Sequence, residues 1–159
     1  MTLCNLVNDS DQNFEAVFQH EIVEAAYECF VTQPPNWSKS AYKECIYLYC
    51  SLAQRAQNRL DQLRSRLPQL VTSLILKVEA AQGDSWLCIE ILETLRKMMA
   101  DADIPSFLTE CLNADCHAIL EQVQKHPNME VYEACMKLGN KIEDTVRDAE
   151  ITPIATYQI

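Results

Sequence analysis

Apolar residues recur along this chain at helical spacing, and three of the resulting stripes share one register. Cys45, Leu48, Tyr49, Leu52 and Ala56 form the first, and Cys88, Ile91, Leu92, Leu95 and Met99 the second. Val131, Ala134, Cys135, Leu138 and Ile142 form the third. Each set is spaced i, i+3, i+4, i+7, i+11, which puts five side chains on one side of an α-helix. The stripes lie 43 residues apart. A constant offset between amphipathic helices predicts stacked helical repeats, each unit burying its apolar side against its neighbours.

Turn signals delimit the other elements. Met1 to Asn8 reads as the end of a helix. Phe14 to His20 and Glu21 to Val31 read as two helical pieces carrying Phe14, Val17, Phe18, Ile22, Ala25, Ala26, Cys29 and Phe30. The loop Thr32-Gln-Pro-Pro-Asn-Trp37 closes them, because consecutive prolines cannot continue a helix. Ser38 or Ser40 caps the first stripe helix. A shorter basic helix follows, around Arg55 to Arg66, and then an apolar one from Leu70 to Ala81, stopped by Gly83. Asp84 or Ser85 caps the second stripe helix, about Trp86 to Ala100. Pro105 opens a short helix to Leu112 and Asp115 another to Lys125. Pro127-Asn128 precedes the third stripe helix, which runs to about Glu150. Pro153 ends any helical pattern, so the segment from 151 to 159 reads as an extended tail. Leu74, Ile75 and Val78 match Ile119, Leu120 and Val123 at an offset of 45. The unit is therefore a short helix, a longer helix, a tight turn and a long helix.

Opposite the stripes runs a polar ladder: Tyr47, Ser51, Gln54 and Asn58; Glu90, Thr94, Lys97 and Asp101; Glu133, Lys137, Asn140 and Asp144. At about 100° per residue these lie roughly half a turn from the buried set. Two readings stay open: solvated helix surface, or a groove that grips a peptide, with Tyr47 and Tyr132 as anchors.

Composition narrows the function classes. Only two glycines, Gly83 and Gly139, occur among 159 residues, which argues against phosphate-cradling loops and β-hairpins. A formal net charge of −10 disfavours nucleic acid and anionic membrane surfaces. Arg55, Arg59, Arg64 and Arg66 form a local exception, either a helix face paired with nearby acids or a docking patch for an acidic partner. Of the eight cysteines, Cys45, Cys88 and Cys135 sit on the stripes as small hydrophobes, which favours a reducing cytoplasmic or nuclear setting. No apolar run approaches the roughly 18 residues of a membrane span.

Candidate chemistry is sparse. Cys111-x4-Cys116-His117 with His126 lacks the paired spacing of a zinc site. A cysteine–histidine hydrolase would need a strand–turn–helix context that this pattern does not supply. Carboxylate pairs such as Glu143-Asp144 and Asp101-Asp103 lie on solvated helix ends. Trp37 and Trp86 read as packing residues, and Met98-Met99 as one core residue and one neighbour. No cofactor or metal is expected.

The stretch Phe107 to Ile142, ending Glu130-Val-Tyr-Glu-Ala-Cys-Met-Lys-Leu-Gly-Asn-Lys-Ile142, resembles the second and third helices of an armadillo repeat. The opening Leu3-Cys4-Asn5-Leu6 is similar to the closing motif of such a third helix, and lies 135 residues before Leu138. The resemblance implies that the chain begins inside a repeat, as the end portion of a larger armadillo-like protein. It also implies a concave groove lined by third helices, where Asn140 and Asn5 match asparagines that hold a peptide backbone. Lys97 and Gln54 depart from that pattern. The positions of the groove tryptophans of nuclear-import receptors hold Met136, Glu93 and Cys50, which argues against binding of nuclear-localisation signals.

The expectation is thus an all-α, right-handed superhelical stack of about three armadillo- or HEAT-like repeats. Residues 1–150 form one α-solenoid domain, with a repeat-helix remnant at 1–8 and repeats at about 14–58, 59–101 and 105–150. The expected function is a non-enzymatic scaffold that binds a partner peptide or helix. Its candidate residues are Tyr47, Gln54, Lys97, Tyr132, Lys137, Asn140, Arg55, Arg59 and Arg66. The alternatives are an oligomerisation segment of a larger assembly and, behind it, a nucleic-acid contact through Arg55 to Arg66.

Overall fold

Among the described residues every regular element is a helix, as the spacing of apolar positions requires. The computed structural model describes residues 2–32, 38–101 and 103–151. In chain order these are α1 (Leu3–Asp9), α2 (Asp11–Gln19), α3 (Ile22–Thr32) and α4 (Lys39–Ala56). A 3₁₀ turn (Gln57–Arg59) leads to α5 (Leu60–Arg66), α6 (Leu70–Ala80) and α7 (Ser85–Asp101). The last three are α8 (Ile104–Asn113), α9 (Cys116–Val123) and α10 (Met129–Ile151). Residues 33–37, Trp37 among them, the side chain of Asp101 and residues 152–159, where an extended tail was expected, lie outside the described residues.

Side-chain caps set the helix starts. Ser38 Oγ accepts from the Ala41 amide at 3.1 Å and Asp84 Oδ1 from the Leu87 amide at 3.2 Å. Asn128 Oδ1 accepts from the Glu130 amide at 2.8 Å. Each satisfies a backbone donor that an opening helix turn leaves unpaired. Three boundaries differ from the sequence reading. The chain breaks at Gln57, whose φ of 45° is left-handed, so Arg55 closes α4 instead of opening the basic helix. Gly83 has no positive φ; α6 ends through amide-to-carbonyl bonds at Ala81, without a left-handed glycine. Asp115 is itself left-handed (φ 50°) and makes no side-chain cap, as is Gln69 (φ 66°) before α6. Those two residues immediately precede α6 and α9.

The stripes pack as one core. Thirteen of their fifteen residues are buried, while Cys45 and Ile142 are partly buried against the same cluster. Leu52, Leu95 and Leu138 all belong to it. The stripe helices follow one another in space: α1 packs on α4, α4 on α7 and α7 on α10. Leu74, Ile75 and Val78 of α6 and Ile119, Leu120 and Val123 of α9 are buried likewise, and these two helices pack together. An aromatic knot joins α3 to α4: Tyr49 lies 5.5 Å from Tyr27 and 5.1 Å from Phe30, ring centre to ring centre, and donates to the Val23 carbonyl at 3.0 Å.

Two tryptophan and methionine expectations need correction. Trp86 is 75% exposed because it lies on the outward side of α7, roughly half a turn from Cys88, although the same first turn buries Leu87 and Cys88. Met98 and Met99 are both buried, since helices flank α7 on two sides.

Candidate functional site

The polar ladder runs along α4, α7 and α10, with α1 beside α4, and polar side chains of α1, α4 and α7 bond from each helix to the next. Asn8 donates to Ser51 Oγ at 3.0 Å. Gln54 donates to Glu90 Oε1 at 2.6 Å and to Thr94 Oγ1 at 2.7 Å, and accepts from Lys97 Nζ at 2.7 Å. Thr94 is thereby fully buried and is not part of a wet surface. Gln54 and Lys97 use their polar ends on each other, and Tyr47 is half-buried. At the last rung the picture changes: Glu133, Lys137 and Asn140 are exposed, and Tyr132 stands beside them at the surface. Of the ladder candidates, Tyr132, Lys137 and Asn140 are the ones that face solvent together on one helix.

The basic cluster is built as intramolecular staples. Arg55 donates to the Val7 carbonyl and pairs with Asp11 at 2.5 Å. Arg59 pairs with Glu15 at 2.7 Å and lies 4.6 Å over the Phe18 ring. Arg66 grips both oxygens of Glu24 and donates to the Phe18 and His20 carbonyls. Arg64 pairs with Glu110 at 2.6 Å and bonds Ser106 at 2.9 Å, linking α5 to α8. Planar guanidinium groups suit such multiple contacts. The arginines therefore join neighbouring helices and do not form an open basic patch.

The candidate chemical groups disperse. His126 Nε2 contacts the Gln82 carbonyl at 2.9 Å, while His117 points to solvent beside Glu121 at 3.3 Å. Neither joins Cys111 and Cys116, and among the described residues no three metal-binding side chains converge. The two thiols hydrogen-bond to each other, which pushes Cys111 up and holds Cys116 below the usual thiol value. All eight cysteines are free thiols.

What the sequence reading missed is an apolar groove of about 430 Å³ between α8, α9 and α10. Leu108, Leu112, Leu120, Ile142 and Val146 supply its walls, and Leu112 is 82% exposed. Asp115, Glu121 and Glu143 edge it with negative charge. Arg147, one turn beyond Glu143, donates to Asp144 at 3.4 Å. Register locates this surface. Thr72 on α6 is covered by α8, its amide donating to Glu110 Oε2 at 3.2 Å. The α9 counterpart 45 residues later is His117, which no described helix covers. Gly139 likewise answers to buried Ala53, two periods earlier on α4. The apolar walls Leu108, Leu112 and Ile142 thus stand at positions whose counterparts earlier in the chain, Leu63, Leu67 and Ala56, are buried. Leu112, apolar at an exposed position of α8, and Val146, which prolongs the third stripe four residues beyond Ile142, were the available signal.

Comparison with family models, with curated proteins and with solved structures finds no match. Among the described residues no helix is long and apolar enough to cross a membrane.

Proposed function

We propose that this chain is a non-enzymatic, armadillo- or HEAT-like repeat scaffold whose open groove receives an amphipathic helix of a partner protein. Side-chain bonds between units support the stacked reading. Asn8–Ser51, Arg59–Glu15, Arg64–Glu110 and Lys97–Gln54 join residues 43, 44, 46 and 43 apart, close to the period of the stripes. A chain in which each unit touches mainly the next has this signature.

One observation carries the choice of site: the α8–α9–α10 groove is apolar, open and built from the positions that earlier units cover with helices. A helix is the shape that such positions accept, because helix ridges fill the grooves between helices. Three carboxylates at its edge select a partner helix with lysine or arginine beside its apolar stripe. The net charge of −10 disfavours a second copy of the chain. Free thiols throughout fit a reducing cytoplasmic or nuclear setting.

The test is fluorescence anisotropy with a labelled amphipathic peptide of about 18 leucines and lysines, long enough for five turns. Leu112→Asp, at an exposed position, is expected to keep the fold and to weaken binding about tenfold or more, because a carboxylate then faces apolar side chains. A leucine–glutamate peptide is expected not to bind. Binding that survives Leu112→Asp but fails in Lys137→Ala/Asn140→Ala would move the site to the end of the polar ladder. No binding to wild type removes the helix-receptor reading. The equivalence of His117 with Thr72 also favours a structural reading, in which helices of a following unit occupy the groove. Self-association that Leu112→Asp abolishes would support an assembly role.

A further inference from the structure

Lys77 is the charged residue that the fold hides most completely among the described residues, at 7% exposure. It projects from an otherwise apolar stretch of α6, Leu74-Ile-Leu-Lys-Val78. Its Nζ lies 5.4 Å from the Phe30 ring centre and 5.0 Å from that of Tyr42. Ring faces attract a cation, but they do not replace the hydrogen bonds that an ammonium makes in water. No carboxylate or other acceptor among the described residues takes a hydrogen bond from this amine. A buried charge without a counter-ion is the arrangement that folded proteins avoid.

The surroundings suggest where the counter-ion comes from. Lys77 lines a cavity of about 340 Å³ between α4, α6 and the turn from Ala81 to Asp84. Lys39 and Lys43, one helical turn apart on α4, line it as well. Among the described lining residues Asp84 is the one carboxylate, and Lys43 already holds it in an ion pair. Three ammonium groups against one acid make a local cationic site in a chain whose net charge is −10. Such a reversal of sign, at a cavity with an unpaired buried lysine, is not needed for packing. A methionine would fill the same space without a desolvation cost.

We propose that this cavity binds a small phosphate-bearing anion, with Lys77 as its buried counter-charge and Lys39 and Lys43 at its mouth. Phosphate suits the site because its several oxygens can accept from ammonium donors arriving from different helices, each free to turn its three N–H groups. The volume admits a phosphate with a small organic substituent. Burial holds the Lys77 pKa below the ordinary lysine value, so an anion that restores its charge gains from a low-dielectric environment.

The experiment compares sodium phosphate, sodium acetate and sodium chloride at matched ionic strength, by thermal melting and by titration calorimetry. At about ten times Kd, inorganic phosphate is expected to raise the Tm of the wild type by about 3–6 °C. Lys77→Met is expected to lose this increment while keeping the general stabilisation that phosphate gives through exclusion from protein surfaces. Lys39→Ala, at an exposed position, is expected to weaken the calorimetric Kd severalfold. Equal phosphate responses in wild type and Lys77→Met, or no binding heat in the wild type, would overturn the proposal. An acetate response equal to that of phosphate would overturn the assignment to phosphate. Should Lys77→Met fail to fold, an unchanged Kd in Lys39→Ala overturns it instead. This site is remote in sequence from the α8–α9–α10 groove, so peptide binding there neither supports nor removes it.

Discussion

Leu95→Ala tests the shared core most directly. Leu95 is 1% exposed in the middle of α7, which packs on α4 on one side and α10 on the other. Truncation removes three carbons from the interior, worth about 2.4 kcal/mol at about 0.8 kcal/mol per methylene. The surrounding helices relax only in part, and a residual void of about 50 Å³ adds about 1.2 kcal/mol at about 24 cal/mol per Å³. The sum, about 3.6 kcal/mol, lies within the range of about 2–5 kcal/mol for buried leucines. For a chain of this length it corresponds to a fall in Tm of about 7–14 °C. Urea unfolding followed by circular dichroism gives the free energy, with an unchanged slope confirming that the native state alone was weakened. Leu76→Ala, on the half-exposed side of α6, serves as the control and is expected to stay within about 0.5 kcal/mol of wild type. A loss below about 1 kcal/mol at Leu95 would refute a core continuous through α4, α7 and α10.

Two further outcomes follow from the charges and thiols. The Arg66 hydrogen bond holds Glu24 below its ordinary pKa of 4.5, so its stabilisation is present above that value and is lost as pH falls through the lower folded value. The stability gap between wild type and Glu24→Gln is therefore expected to narrow from about pH 6 to about pH 3, and a gap that stays constant in pH-resolved melts would contradict the pairing. Burial pushes Cys45, Cys88 and Cys135 up to about 11 and Cys50 up to about 12, whereas the Cys111 bond lowers Cys116, which opens on the groove. Among the buried thiols, Cys116 is expected to be alkylated first by iodoacetamide at neutral pH, read by peptide mass spectrometry, and a slower Cys116 than Cys88 would refute this ordering.

Much of the helical order was legible along the chain, because a stripe at i, i+3, i+4, i+7 is a local property. The buried sides of α4, α7 and α10 fell at the residues that the pattern named, and the stops before Ser38 and Met129 came from proline and capping residues. Local chemistry did not say which polar residues would meet. Arg55, Arg59 and Arg66 read first as a helix face paired with acids, but their partners Asp11, Glu15 and Glu24 were known only once α2 and α3 were in place. Thr94 looked like a solvated rung because its burial comes from Gln54 of another helix. Trp86 looked like packing because of its size, although it lies roughly half a turn from Cys88 on the outward side of α7.

The candidate sites follow the same division. Sequence alone determined three amphipathic helices in common register, a strongly acidic surface and a set of apolar cysteines, since each depends on neighbours within one or two helical turns. Tertiary structure decided where those helices run out of partners, leaving Leu112, Ile142 and Val146 around a groove, and which lysine is enclosed without an acid. Both depend on residues about 30 to 47 positions apart in sequence. Only the packing of one helix on another brings such residues together, or leaves them uncovered.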